Sequence, residues 1–414
     1  MNSLPMSMPM NEQAPSDPGL AFTLRLGHAL HRYGVPAHRL EQAMSVVSAR
    51  FGLTGRFYST PTAIIASFGP PEDLRSCMIR VEPGDVDLAR LAALDELTTE
   101  VMHGTCEPAL ASRRLDEILT SPPPYGPRIT VAAFSIASGG AAYLLGGGAR
   151  EVLVALLISA VTGLLAVSTG RFPGLARMLE VLGAFLAAAL AIAGTRVLGP
   201  YSVQLAIIAG LIVLLPGLTL TVALTELATR NLVSGTSRAM SALITFLQMG
   251  FGVALASQLD KVLPPVPDLP APPPLPGWVM LPALVFGVGS FAVLFRSRYR
   301  DAVWIIIGGS VSYFAAGVGS TYLGPQLGAF VGSLLLCMGS NALARWKDKP
   351  SVITILPGML LLVPGSVGFR SLDALLAHNV LGGVETAFTM VMVAVGIVAG
   401  LLLANAVVPP RKVL

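Results

Sequence analysis

The sequence predicts a multi-pass α-helical membrane protein: ten transmembrane helices as two inverted five-helix repeats, preceded by a small α+β domain. Three observations lead there. The 414 residues are 53% hydrophobic and 12% charged, with a mean hydropathy of +0.71, whereas soluble domains carry about 25% charged residues. Beyond residue 128, apolar runs long enough to cross about 30 Å of hydrocarbon recur with short interruptions. Three segments of the first half of that region reappear, in order, in the second.

The charge distribution sets the domain boundary. Residues 1–128 hold 11 Arg, no Lys and 14 Asp and Glu, like a soluble domain, and residues 129–414 hold the other 16 basic and 9 acidic side chains. Residues 1–18, MNSLPMSMPMNEQAPSDP, contain no Lys or Arg and no apolar core. A disordered tail is expected there and a signal peptide is not. Residues 19–120 read as a cytoplasmic α+β domain. Two helices fill 20–51, closed by Gly34 and Gly52. A strand pair turning at Thr60-Pro61 follows, then a third strand over 76–83 and helices over 85–104 and 108–120. The stretch SPPPYGPR (121–128) is a proline hinge that no helix can cross.

After the hinge the apolar runs fall at roughly 129–147, 151–169, 176–195, 201–224, 236–257, 278–295, 302–319, 324–343, 351–369 and 383–407. The first five form membrane repeat 1 (129–257) and the last five repeat 2 (278–408), joined by the proline-rich outer loop 258–277. Its prolines favour an extended spacer. Ten spans put 13 basic residues, from Arg128 to Lys412, on the side of the N-terminal domain and the C-terminus. The other side keeps Arg150, Arg196, Lys261 and Arg370. By the positive-inside rule the first side is cytoplasmic, so the expected location is the cytoplasmic (inner) membrane.

GGAREVLVALLISAVTG (147–163) resembles RYRDAVWIIIGGSVSYF (298–314), IVLLPGLTL (212–220) matches ITILPGMLL (353–361), and NLVSGTSRAM (231–240) resembles NVLGGVETAF (379–388). Five spans per half is an odd number, so the second copy is inverted, an architecture of secondary transporters with broken helices near mid-membrane. The expected breaks are Pro216-Gly217 in span four and both Pro-Gly pairs of ILPGMLLLVPG, Pro357-Gly358 and Pro364-Gly365, in span nine. Proline cannot donate a helix hydrogen bond. The freed amides and carbonyls become a candidate substrate site, with hydroxyls from Thr219, Thr221 and Thr225 after the first break and Ser366 after the second.

Ionisable groups inside a membrane cost roughly 2.5–3.5 kcal/mol each on insertion scales, so those present are informative. Glu226 stands nine residues after Gly217, and the alignment of the halves gives Asp373 as its counterpart. Together they suit a proton or cation relay, or a pair of helix-end carboxylates. Glu180 and Glu385 are weaker candidates. Gln204, Gln248 and Asn341 suit substrate contacts or, more simply, helix-to-helix hydrogen bonds. His28 and His31 share a helical face, but without a Cys or acidic partner they read as surface histidines. No metal set, phosphate loop or Ser–His–Asp pattern is present, and Cys77, Cys106 and Cys337 are too scattered for a disulfide framework. No cofactor, no nucleic-acid partner and no enzymatic chemistry are expected; the partners are the lipid bilayer and a small-molecule substrate, with a homo-oligomer left open.

ALHRYGVPAHRLEQAMSVVSARFGL and YSTPTAIIASF resemble the N-terminal domain of the threonine/serine exporter family. PGLTLTVALTELATRNLVSGTSRAM and ILPGMLLLVPGSVGFRSL resemble its membrane signatures. The resemblance runs from about residue 20 to the end. It implies export of threonine and serine driven by the proton motive force. The family pattern falls on Pro216, Gly217, Glu226, Gly235 and Arg238, and on Pro357, Gly358, Pro364, Gly365 and Gly368. Many members place Asp where Glu226 stands, so the charge is kept while its reach grows by one methylene. Some relatives with this architecture are linked to dicarboxylate export, which is the alternative substrate class. A membrane-anchored sensor or enzyme is the other, and ten spans are more than an anchor needs.

Overall fold

The computed structural model describes residues 17–82, 84–267, 269–270, 272–347 and 349–410. The expected tail, apart from Asp17 and Pro18, lies outside the described residues. The chain divides into two compact units, the first up to Pro122 and the second from Pro123.

In the first unit, α1 (Pro18–Arg32) starts where the Asp17 side chain accepts the Gly19 amide at 2.7 Å. It buries Phe22, Leu26 and Leu30 completely. Gly34, at φ 84°, ends it, and α2 (Ala37–Arg50) is ended in the same way by Gly52 at φ 73°. β1 (Gly55–Thr60), β2 (Ala63–Phe68) and β3 (Arg75–Arg80) form an antiparallel sheet in chain order. β2 alternates, burying Ile64, Ala66 and Phe68. α3 (Leu88–His103), capped by Asp87, and α4 (Pro108–Thr120) complete the unit. His31 departs from its surface expectation. It is 3% exposed, and its Nε2 lies 2.6 Å from the Thr60 carbonyl, tying α1 to the end of β1.

The second unit is helical throughout its regular structure. In order come α5 (Pro127–Leu144), α6 (Ala149–Ser168), the short α7 (Pro173–Ala176), α8 (Leu179–Leu198), α9 (Val203–Gly210), α10 (Gly217–Ala228) and α11 (Leu232–Ser257). α12 (Met280–Leu294), α13 (Ala302–Leu323), α14 (Pro325–Lys347), α15 (Val352–Leu360), α16 (Gly365–Leu376) and α17 (Val380–Val407) follow. Among the described residues, eight helical stretches are long and apolar enough to cross a membrane. This is a multi-pass helical membrane protein.

The difference between eight and ten has a physical origin. α5, with its SIASGGAAY sequence (135–143), lies outside that set, and the expected fourth span is divided into α9 and α10. Large side chains such as Leu157, Leu164, Phe251, Phe286 and Phe388 point outward and are more than half exposed. The centre is packed instead by small residues, including Ala184, Ala187, Ala188 and Ala191 of α8, all at 0% exposure. That inversion of size is what lipid-facing helices with close-packed interiors require.

Candidate functional site

Two helices break inside the second unit, and in different ways. After α9, the Leu211 amide still reaches the Ile207 carbonyl at 3.0 Å. Ile212 then turns to Ala209 and Leu214 to Leu211, and regular helix resumes only at Gly217. Six residues, 211–216, are therefore out of helix.

In the second case α15 continues straight through Pro357 and Gly358, which are both buried within it. The interruption is 361–364, and Pro364 is the residue before the restart at Gly365. ILPGMLLLVPG thus contains one break, not two. Leu362 bonds back to Met359 at 2.9 Å, so the Gly358 carbonyl loses its usual donor. The Ser312 hydroxyl of α13 supplies the replacement at 2.9 Å. Ser312 thus caps the break at 361–364; the carbonyl that Pro357 itself deprives of a donor is that of Ile353, one turn earlier.

The second half therefore registers on the first at Pro364-Gly365 rather than at Pro357-Gly358. Pro216 and Pro364 both precede a 12-residue helix, at φ −79° and −77°. Each of those helices ends in a non-glycine residue with positive φ, Arg230 at 65° and His378 at 61°, followed by Asn231 or Asn379. In this register the counterpart of Glu226 is Ala374, and Asp373 falls one position earlier.

The two breaks touch. A methyl group built on Gly217 would lie 3.0 Å from the Gly365 nitrogen and 3.1 Å from its Cα, and would overlap the Val363 side chain. One built on Gly365 would lie 3.2 Å from Leu215 Cβ and 3.4 Å from Gly217 Cα. At 217 the approach needs glycine, and at 365 a methyl would press on Leu215. The first turns of α10 and α16 thus begin at one crossing, and both helix dipoles point their positive ends at it. Leu220 and Gly368 make the first intrahelical bonds, to Pro216 and Pro364. The amides of 217–219 and 365–367 precede them at the crossing. Thr219 and Ser366, half-buried, stand on these first turns.

Below the crossing, α10 carries a threonine ladder. Thr221, Thr225 and Thr229 each donate to the carbonyl four residues earlier, at 3.1, 2.9 and 2.9 Å. Two of the three expected hydroxyls, Thr221 and Thr225, are therefore spent on the backbone, and only Thr219 remains at the break. Glu226 is completely buried, and Arg238 of α11 donates to it through Nε at 3.0 Å. Gly235 makes this pair reachable: a methyl there would lie 2.9 Å from the Ala223 carbonyl. α11 can lie close enough to α10 only because position 235 has no side chain.

Asp373 is elsewhere. Its Oδ2 accepts from Gln204 Nε2, the second residue of α9, at 2.6 Å. Gln204 begins the broken span whose far end holds Glu226, so the two carboxylates lie at opposite ends and share no site. Gly368 packs against Met390 and Phe246. Asn341 links α14 to the end of α17, donating to Asn405 at 2.9 Å and to the Val408 carbonyl at 2.8 Å. Glu180 is half-buried in the first turn of α8, Gln248 is half-buried on α11, and Glu385 is exposed. None of these three joins the crossing. Among the described residues no group of His, Cys, Asp and Glu could hold a metal ion.

The sequence model of the threonine/serine exporter family matches residues 21–260, and a second model described as "Threonine/Serine exporter, ThrE" matches 281–407. The chain belongs to the threonine/serine exporter family. A threonine/serine exporter of Corynebacterium glutamicum is 27% identical over 79% of this chain and 70% of its own length. The pheromone-regulated membrane protein 10 of Yarrowia lipolytica is 28% identical over 86% of this chain, and its counterpart in Debaryomyces hansenii is 26% identical over 92%. The chain spans 31% and 41% of those two fungal proteins. No solved structure matches it. As a member of this family, the chain places both segments that resemble it, PGLTLTVALTEL and LLVPGSVGF, at the crossing of its broken helices. Ser312 was not legible in the sequence, because nothing in GGSVSYF distinguishes a hydroxyl that repairs a neighbour's backbone from one that bonds within its own helix.

Proposed function

We propose that this protein carries threonine, serine and similar small amino acids out of the cell, driven by the proton motive force. The observation that carries the reading is the Gly217–Gly365 crossing, where two half-helices bring their amide ends together. A zwitterion needs donors for its carboxylate and acceptors for its ammonium group. Converging helix N-termini supply the first, and the carbonyls freed along 211–216 and 361–364 supply the second. Thr219 and Ser366 add hydroxyls beside a substrate that itself bears one.

In this reading α9–α10 and α15–α16 are spans four and nine of ten, and the halves are inverted repeats. Support comes from glycine contacts that match between the two halves. Gly140 of α5 faces Gly287 of α12, as Gly217 faces Gly365. Gly252 of α11 lies 3.0 Å from a backbone nitrogen of α8, and Gly400 of α17 lies 2.6 Å from a backbone carbonyl of α14, measured from an added methyl. Access then alternates as one repeat rocks against the other. The basic loops face the cytoplasm with both termini, and the first unit regulates or gates transport. Glu226 carries the coupling proton when it separates from Arg238.

Counterflow of labelled threonine, serine and succinate into proteoliposomes tests the reading. Threonine and serine should accumulate transiently against their preloaded counterparts. Accumulation of succinate alone moves the chain to the dicarboxylate class, and accumulation of none refutes transport of these solutes.

A further inference from the structure

A cavity of about 300 Å³ lies away from the crossing, where α8 ends and α9 begins. Arg196, in the last turn of α8, lines it together with Thr195, Ile192, Tyr201, Val203 and Asp260. The Arg196 side chain is only 12% exposed. One of its terminal nitrogens donates to Thr195 Oγ1 at 2.6 Å, and the other pairs with Asp260. Its Nε is buried and has no acceptor. A guanidinium offers five donors in a planar fork matched to carboxylates. Thr195 is already committed, because its hydroxyl also donates to the Ile192 carbonyl at 2.7 Å. Nε is closed off, but each terminal nitrogen carries a second N–H beyond its bond to Thr195 or Asp260, and it is these that a ligand in the cavity would meet.

The charges narrow the ligand. Asp260 is 63% exposed and stands beside Arg196, so positive and negative groups line the same opening. A zwitterion can set its carboxylate on the guanidinium and its ammonium on Asp260. A dicarboxylate would place its second charge against Asp260. The volume lies at the small end of ligand pockets, which suits an amino acid with a short side chain, and Ile192 and Val203 offer it an apolar wall. The cavity also adjoins the transport path: Val203 is the first residue of α9, next to Gln204, which holds Asp373.

We propose that this cavity is a second binding site for small zwitterionic amino acids, at the mouth of the broken span formed by α9 and α10. The proposal rests on the export reading and adds where the substrate halts beyond the crossing. Arg196 holds the carboxylate and Asp260 the ammonium group.

The test uses the full chain in proteoliposomes and reads threonine counterflow. Val203→Trp fills the cavity without touching the ion pair, and Arg196→Lys keeps the charge while removing the fork. Each should raise the KM for threonine at least fivefold, with kcat within twofold of the parent. Asp260→Asn should weaken threonine and narrow its advantage over succinate as a competitor. If Val203→Trp and Arg196→Lys both keep the parental KM, Arg196 and Asp260 only clasp α8 to the end of α11, and the second site is overturned while export stands. A parent without threonine counterflow overturns the export reading and this site with it. A variant that fails to reach the membrane is replaced by Val203→Phe, judged by the same KM criterion.

Discussion

Breaking the Glu226–Arg238 pair should cost more than any single surface change in this molecule, and the cost should be asymmetric. Glu226 has no exposed area, and Arg238 keeps 18% of its side chain exposed. Arg238→Gln leaves a buried carboxylate without its guanidinium, a loss of about 3–5 kcal/mol where one partner of a buried pair is removed. Glu226→Gln leaves an amide oxygen that still accepts from Arg238 Nε, and the remaining positive charge has some access to water. Its cost should be nearer 1–3 kcal/mol, that of an imperfectly satisfied polar group. The double variant Glu226→Gln/Arg238→Gln should be more stable than the sum of the single losses implies, by about 1–3 kcal/mol. Denaturant unfolding of the four proteins in one detergent measures all three quantities. Transport gives the second readout. Glu226→Gln should stop net export while threonine exchange, which moves no proton, continues. A coupling energy below about 0.5 kcal/mol, within the range of independent sites, would refute the reasoning, as would net export at the parental rate in Glu226→Gln.

Three further outcomes follow from the same structure. Pro216→Ala and Pro364→Ala should each lower threonine affinity, because helix regrowth across 211–216 or 361–364 withdraws amides from the crossing, whereas Pro357→Ala, inside α15, should raise the melting temperature with affinity unchanged. Burial, with a smaller push from Arg39, lowers the His38 pKa from its ordinary 6.5 to about 4. The unfolded chain then takes up a proton that the folded unit refuses, so stability falls as pH drops from about 6.5 toward about 4. Amide protection factors across residues 17–120 of the full chain, each taken against the intrinsic exchange rate at the same pH, should fall over that window, and less so in His38→Gln. Finally, in a background without Cys77, Cys106 and Cys337, Val262→Cys should react with an impermeant thiol reagent in intact cells and Trp346→Cys should not. The reverse pattern overturns the proposed orientation.

Hydropathy and periodicity carried most of the secondary structure, because both arise from local chemistry. The apolar runs became α6, α8 and α11–α14 within a few residues, and the strand pair turns between Thr60 and Ala63, beside the expected Thr60-Pro61. Pro216-Gly217 was legible as a weak point for the same reason: proline lacks the N–H a helix needs, and glycine costs it backbone entropy. What local chemistry could not decide was which of two identical Pro-Gly pairs would break the later span. The break at 361–364 comes with a tertiary partner, Ser312, which faces Gly358 from 46 residues away and satisfies the carbonyl that the turn releases. The same limit applied to the carboxylates. Sequence marked Glu226 and Asp373 by their rarity in apolar surroundings, yet gave neither partner. Arg238 reaches Glu226 only because Gly235 lets α11 close on α10, and Gln204 reaches Asp373 only because broken helices 169 residues apart in the chain cross. Composition determined that this chain lives in a membrane and where its helices weaken. Close packing of distant glycines determined which weak points meet, since contact between backbones depends on what is missing from both sides at once.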